Sequence, residues 1–189
     1  ARLSNEVGKR GVVDVLRRGI EHHPAGHFDL FCGTPSEGNA KAAALHALNR
    51  FSLTRQLAYS ADETRRALDL GLFINGLPVA TFELKNSLTK QTVLDAVEQY
   101  KRDRSPRERL FEFGRCAVHF KASWFLPFNK GHADGAGNPP NPQGLKTDYL
   151  WKEVLTPAGL TDILENYAQI VELRDPKSGK KKRVQIFPR

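Results

Sequence analysis

The chain has 189 residues, 29 of them lysine or arginine against 21 aspartate or glutamate, for a formal charge of +8 with histidine neutral. That length suits one domain with a real core, and the basic balance favours a polyanionic partner, because lysine and arginine displace counterions from nucleic acid. Cys32 and Cys116 form no disulfide framework, and no apolar run approaches the ~20 residues that span a bilayer, so a stapled secreted scaffold and a helical membrane protein are excluded and a cytoplasmic setting is expected.

Residues 5–20 set Val7, Val12, Val13, Val15, Leu16 and Ile20 at loosely helical spacing. His22, His23 and His27 follow around Pro24 and Gly26. Zinc needs about four convergent ligands, and this irregular spacing reads as a solvated loop. Phe28 to Cys32 is predicted to be a strand, Thr34 to Asn39 a loop, and Lys41 to Arg50 a helix with Ala43, Leu45, Ala47 and Leu48 in the core. Phe51 to Tyr59 alternates as a further strand.

Asp69 to Lys85 is the organising stretch. Two β-rich runs flank Asn75-Gly76, the dipeptide suited to the positive φ angles of a tight turn. Side chains alternate along the second run, so Thr81, Glu83 and Lys85 share one face while Phe82 and Leu84 take the other. Two carboxylates meeting on one sheet surface are unfavourable unless a hard cation lies between them. Sharing that cation needs Asp69 and Glu83 on the same face. A strict two-residue turn would pair Asp69 with Phe82 instead, so either a three-residue loop or a bulge is required.

Ser87 or Thr89 can cap a helix running to about Arg102, with Val93, Ala96, Val97 and Tyr100 inward. Residues 110–113 and 115–120 read as strand, residues 131–144 as a Gly-, Asn- and Pro-rich loop. Thr156-Pro157 opens a helix with Leu160, Ile163, Leu164 and Tyr167 as its apolar stripe. Residues 170–173 and 184–187 are predicted to pair as strands, with Lys180 to Arg183 as a solvated edge. The order of hairpin, helix and strand predicts an α/β fold, a mixed central β-sheet flanked by helices, over a single domain of residues 1–189.

Asp69, the hairpin and Glu83-Leu84-Lys85 resemble the PD-(D/E)XK nucleases, with Leu68 where the pattern's name has proline. More closely, Phe73 to Asn86 and Gln99-Tyr100-Lys101-Arg102-Asp103 resemble the nuclease domain of type I restriction enzyme R subunits. Phe125 to Gly131, Gly135 to Pro140 and Tyr149 to Glu153 extend the likeness. The resemblance implies an endonuclease that uses Mg2+ to cut double-stranded DNA, with Asp69, Glu83 and the Leu84 main-chain carbonyl as metal ligands. Lys85 would be the catalytic ammonium, and Gln99, Tyr100, Lys101 and Arg102 would lie near DNA. It further implies modification and specificity subunits as partners, and an ATP-driven motor towards which residues 170–189 lead. No Gly-x-x-x-x-Gly-Lys-Ser/Thr phosphate loop occurs in the sequence, so ATP would bind elsewhere. The same likeness suggests that residues are omitted near 120 and before residue 1, among them a further acidic ligand. Two alternatives stand beside this reading: a stand-alone repair or junction nuclease of the same superfamily, and a non-catalytic basic DNA-binding module.

Overall fold

The computed structural model describes residues 2–60, 66–82, 148–174 and 181–186, with positions 108, 110, 143, 144, 176 and 179. The expected helix to Arg102, the strands at 110–120 apart from Leu110, which is helical where a strand was expected, and nearly all of the 131–144 loop lie outside the described residues. At the N-terminal side, helices α1 (Arg2–Arg10) and α2 (Val12–Arg18) realise the periodic stretch. They break at Gly11, so Val7 faces inward with Val12, Val15 and Leu16, each 0% exposed. A ladder of i,i+4 ion pairs runs along the two helices, Arg2–Glu6, Glu6–Arg10, Arg10–Asp14 and Asp14–Arg18. Asp14 is 2% exposed, and the two arginines compensate its buried charge.

Strands β1 (Ile20–His22) and β2 (Gly26–Phe28) form a small hairpin where the sequence reading placed a histidine loop. The strand expected at Phe28 to Cys32 is not formed. Only Phe28 is extended and paired, and it is solvent-exposed, while residues 29–36 run irregularly. Helix α3 (Ala40–His46) begins at Asn39, whose side chain accepts from the Ala42 amide at 3.0 Å. Its expected core role is overturned: none of its residues is buried, and Leu45 and Leu48 are exposed.

Strands β3 (Phe51–Ala58), β4 (Ala67–Ile74) and β5 (Leu77–Phe82) make an antiparallel sheet in that order. Leu70, Leu72 and Ile74 on β4 and Leu77, Ala80 and Phe82 on β5 face α1 and α2, giving the one principal core cluster among the described residues. All described strand pairs are antiparallel, in separate sheets of two, three and two strands. The architecture is thus α/β, a small antiparallel sheet flanked by helices. The partner that would make the sheet mixed was expected in residues that are not described.

The same core face receives the C-terminal helical segment. This comprises α4 (Leu150–Val154), α5 (Pro157–Asp162) and α6 (Ile163–Tyr167). α4 and α6 are wide turns closed by i→i+5 bonds, Leu155 N to Leu150 O and Ala168 N to Ile163 O, both 2.9 Å. Thr156 caps α5 as predicted, accepting from the Gly159 amide at 3.1 Å. Leu160 and Leu164 enter the core, whereas the expected stripe fails at Tyr167, which is 50% exposed. Arg17 of α2 donates to the carbonyls of Leu164 and Glu165, fastening the two helical segments together. Glu165 in turn accepts from the amide and hydroxyl of Thr34, so closely above Gly33 that a Cβ there would lie 2.2 Å from its carboxylate oxygen. Strands β6 (Gln169–Arg174) and β7 (Lys181–Ile186) then pair as a separate hairpin.

Candidate functional site

The hairpin turn comes first, because it fixes what the strands present. Asn75 and Gly76 both have positive φ, +49° and +81°, as a two-residue turn matched to strand twist demands. The Asn75 side chain does more than tolerate that conformation. Its oxygen accepts from the Arg50 amide at 2.6 Å, and its nitrogen donates to the Leu30 carbonyl at 2.8 Å and to Asn49 at 3.0 Å. Asn49 donates onward to the Cys32 carbonyl. The turn is therefore bolted to the loop before α3 and to the start of β3.

From that turn Ile74 pairs with Leu77 and Phe73 with Pro78, but Leu72 then pairs with Ala80, leaving Val79 as an extra residue. This is the bulge that the shared-face argument required, and the three-residue loop is not used. Its physical cause lies in the core. An unbulged β5 would turn Thr81 inward and Phe82 outward, whereas the bulge buries Phe82 to 3% exposure, 6.0 Å from the Trp151 ring. Beyond the bulge Gly71 pairs with Thr81 and Leu70 with Phe82.

By alternation along β4, Asp69 occupies the face opposite the core, half-buried. Gln56, on the neighbouring strand, donates from Nε2 to Asp69 Oδ1 at 3.4 Å. The β3–β4 pairing is interrupted at this position, between Arg55–Leu70 and Leu57–Leu68, and Gln56 has φ +49°, uncommon for a residue with a side chain. Sequence reasoning treated β3 as scaffold and missed Gln56, since alternation carries no signal for a local kink. Leu53, Thr54, Arg55, Gln56, Asp69 and Leu70 line an open groove of about 720 Å3. A carboxylate, an amide and a hydroxyl are the hard donors that magnesium takes.

Among the described residues no group of three or more His, Cys, Asp or Glu side chains could hold a metal ion. Of the predicted site, Asp69 is described. Glu83, Leu84, Lys85, Gln99, Tyr100, Lys101 and Arg102 lie outside the described residues. The donors around Asp69 thus fit a hard cation in kind, and further ligands would have to come from that stretch.

The histidine hairpin is a separate feature. His27 Nδ1 lies 2.7 Å from Glu21 Oε1 and Nε2 lies 3.1 Å from Asp29 Oδ1. The hydrogen bond to Glu21, aided by that to Asp29, raises the imidazole above its ordinary value of 6.5. A raised folded-state value means the interaction stabilises fully below pH 6.5 and is lost as pH rises through the raised value. Melting temperatures of the wild type and His27→Gln should therefore differ in mild acid and converge as pH rises past the raised value. A gap that widens with rising pH would refute the assignment.

No described helix is long and apolar enough to cross a membrane. Searches of curated proteins and of solved structures returned no match. Residues 33–129, just over half of the chain and including α3 and β3 to β5, match the family model described as the type I restriction enzyme R protein N terminus. The chain belongs to that family of restriction-enzyme R protein N termini.

Proposed function

We propose that the chain is a magnesium-dependent endonuclease domain of PD-(D/E)XK type, which cleaves phosphodiester bonds of double-stranded DNA within an ATP-dependent type I restriction complex. One observation carries the reading: the bulge at Val79 fixes a register in which Leu70 faces Phe82. Continuing that register by one residue would set Glu83 opposite Asp69 and put Lys85 on the same face, since alternate residues share a face. A regular two-residue hairpin would separate the two carboxylates.

In this proposal Asp69, Glu83 and the Leu84 carbonyl would hold the metal. Magnesium, when bound, supplies positive charge to a phosphoryl oxygen and makes water more acidic. Gln56 steadies the Asp69 carboxylate through its amide. Lys85 offsets negative charge developing on the phosphate, and a water it orients is delivered in line. Gln99, Tyr100, Lys101 and Arg102 contact the DNA backbone nearby. Residues 1–189 act as a single domain in the cytoplasm, alongside modification and specificity subunits, with ATP consumed by a motor outside these residues.

The test is plasmid nicking by the intact assembly across a series of cations. Magnesium and manganese should support cleavage, while calcium, with longer bonds and looser geometry, should bind but support it poorly. Undiminished cleavage in excess chelator would rule out the metal-dependent mechanism.

A further inference from the structure

The β6–β7 hairpin concentrates charge. Residues 169–186 contain six basic residues, Arg174, Lys177, Lys180, Lys181, Lys182 and Arg183, against Glu172 and Asp175. The net +4 of this segment is half of the +8 carried by all 189 residues. Register adds order to that composition. Arg174 pairs directly with Lys181, and Glu172 with Arg183, so these four positions share one side of the ribbon. Like charges set directly opposite destabilise a strand pair. Glu172 lies 3.2 Å from Lys181. Arg174 is exposed, and the Lys181 side chain is 70% exposed.

Among the described residues β6 and β7 pair only with each other. Opposed cations directly across a strand pair weaken it. A polyanion reverses that balance. Six strand residues at about 3.3 Å each give a ribbon roughly 20 Å long, a length of helix axis over which one DNA strand carries about six phosphates.

We propose that the β6–β7 hairpin is an arm that binds the phosphate backbone of duplex DNA, with Arg174 and Lys181 as principal contacts. It rests on reading the chain as a DNA-acting domain, yet its role is binding and is independent of the cutting site. It carries no base-reading role, since the contacts are ionic.

The test measures binding of the intact protein to a duplex of about 30 base pairs in chelator, so that nothing is cut, from about 50 to 200 mM salt. Arg174→Gln with Lys181→Gln should flatten the slope of log K against log salt by about 2, close to 0.9 for each cation removed. The charge-keeping pair Arg174→Lys with Lys181→Arg should restore it. Lys9→Gln with Lys41→Gln removes the same charge from exposed sites on α1 and α3 and should leave the slope unchanged. If the glutamine pair melts early, Lys181→Gln alone should still lower the slope by about 1. A wild-type slope in the hairpin variants overturns the arm alone, whereas a protein that binds no duplex overturns the arm and the DNA reading together. Binding with the expected slopes but no magnesium-dependent cleavage would sustain the arm and sink the nuclease reading. Tighter binding to anionic phospholipid vesicles than to the duplex would also overturn it.

Discussion

Asp69→Asn is expected to abolish DNA cleavage, by about a thousandfold or more, while the protein stays folded and its affinity for DNA in chelator is unchanged. A thousandfold loss corresponds to about 4 kcal/mol at the barrier, the scale of removing one charged group from a preorganised site. Folding should hardly notice. Asparagine is isosteric and keeps an oxygen for the Gln56 amide, and Asp69 lies on the face of β4 away from the core. Lys85→Ala should match the cleavage defect, while Lys41→Ala on α3 should not. ATP turnover by the intact complex should persist in all three. Plasmid nicking and ATP hydrolysis measured in the same samples decide the matter. Cleavage within tenfold of wild type in a folded Asp69→Asn protein would remove Asp69 from the mechanism, and joint loss of both activities would make the hairpin a coupling element.

The second large effect is on stability. Leu16 is fully buried between α2 and the β4–β5 face, and it belongs to the same cluster as Leu160 and Leu164. Leu16→Ala removes its transfer free energy and leaves a cavity that helices and sheet, held by Arg17 and the Thr34–Glu165 clamp, can only partly close. The expected cost is about 2–5 kcal/mol, a large share of the usual 5–15 kcal/mol domain stability. Urea unfolding should show a lower midpoint at unchanged slope. Leu48→Ala, at a 71% exposed position, is the contrast and should cost little. Equal losses at both positions would mean that the core is elsewhere.

That contrast shows where sequence patterning succeeds and where it stops. Leu45, Leu48 and Leu16 look alike in a helical window, and periodicity cannot say which apolar face another element will cover. The hairpin was legible because Asn75-Gly76 and the alternation on both sides are local signals. Its bulge was legible only through chemistry, from the demand that Asp69 and Glu83 share a face, and the burial of Phe82 against Trp151 gives a second cause that single-strand patterning hides. The Gln56 kink, the three-residue β1 and β2 strands and the wide turns at Leu150 and Ile163 left no trace in composition. Each is a local departure from regular geometry that hydrophobic periodicity does not encode.

The fastening of α2 to α6 through Arg17 joins residues 147 and 148 positions apart, and it closes the core over one face of the central sheet. Contacts so distant in sequence form late, because the loop between them must first be closed at an entropic cost. During synthesis at about 5–20 residues per second, Leu164 emerges roughly seven to thirty seconds after Arg17. Through that interval the apolar faces of α2 and the β4–β5 hairpin await their cover. The nascent chain is then most open to misassociation, and a chaperone that occupies this face before α5 and α6 arrive would raise the yield of folded protein.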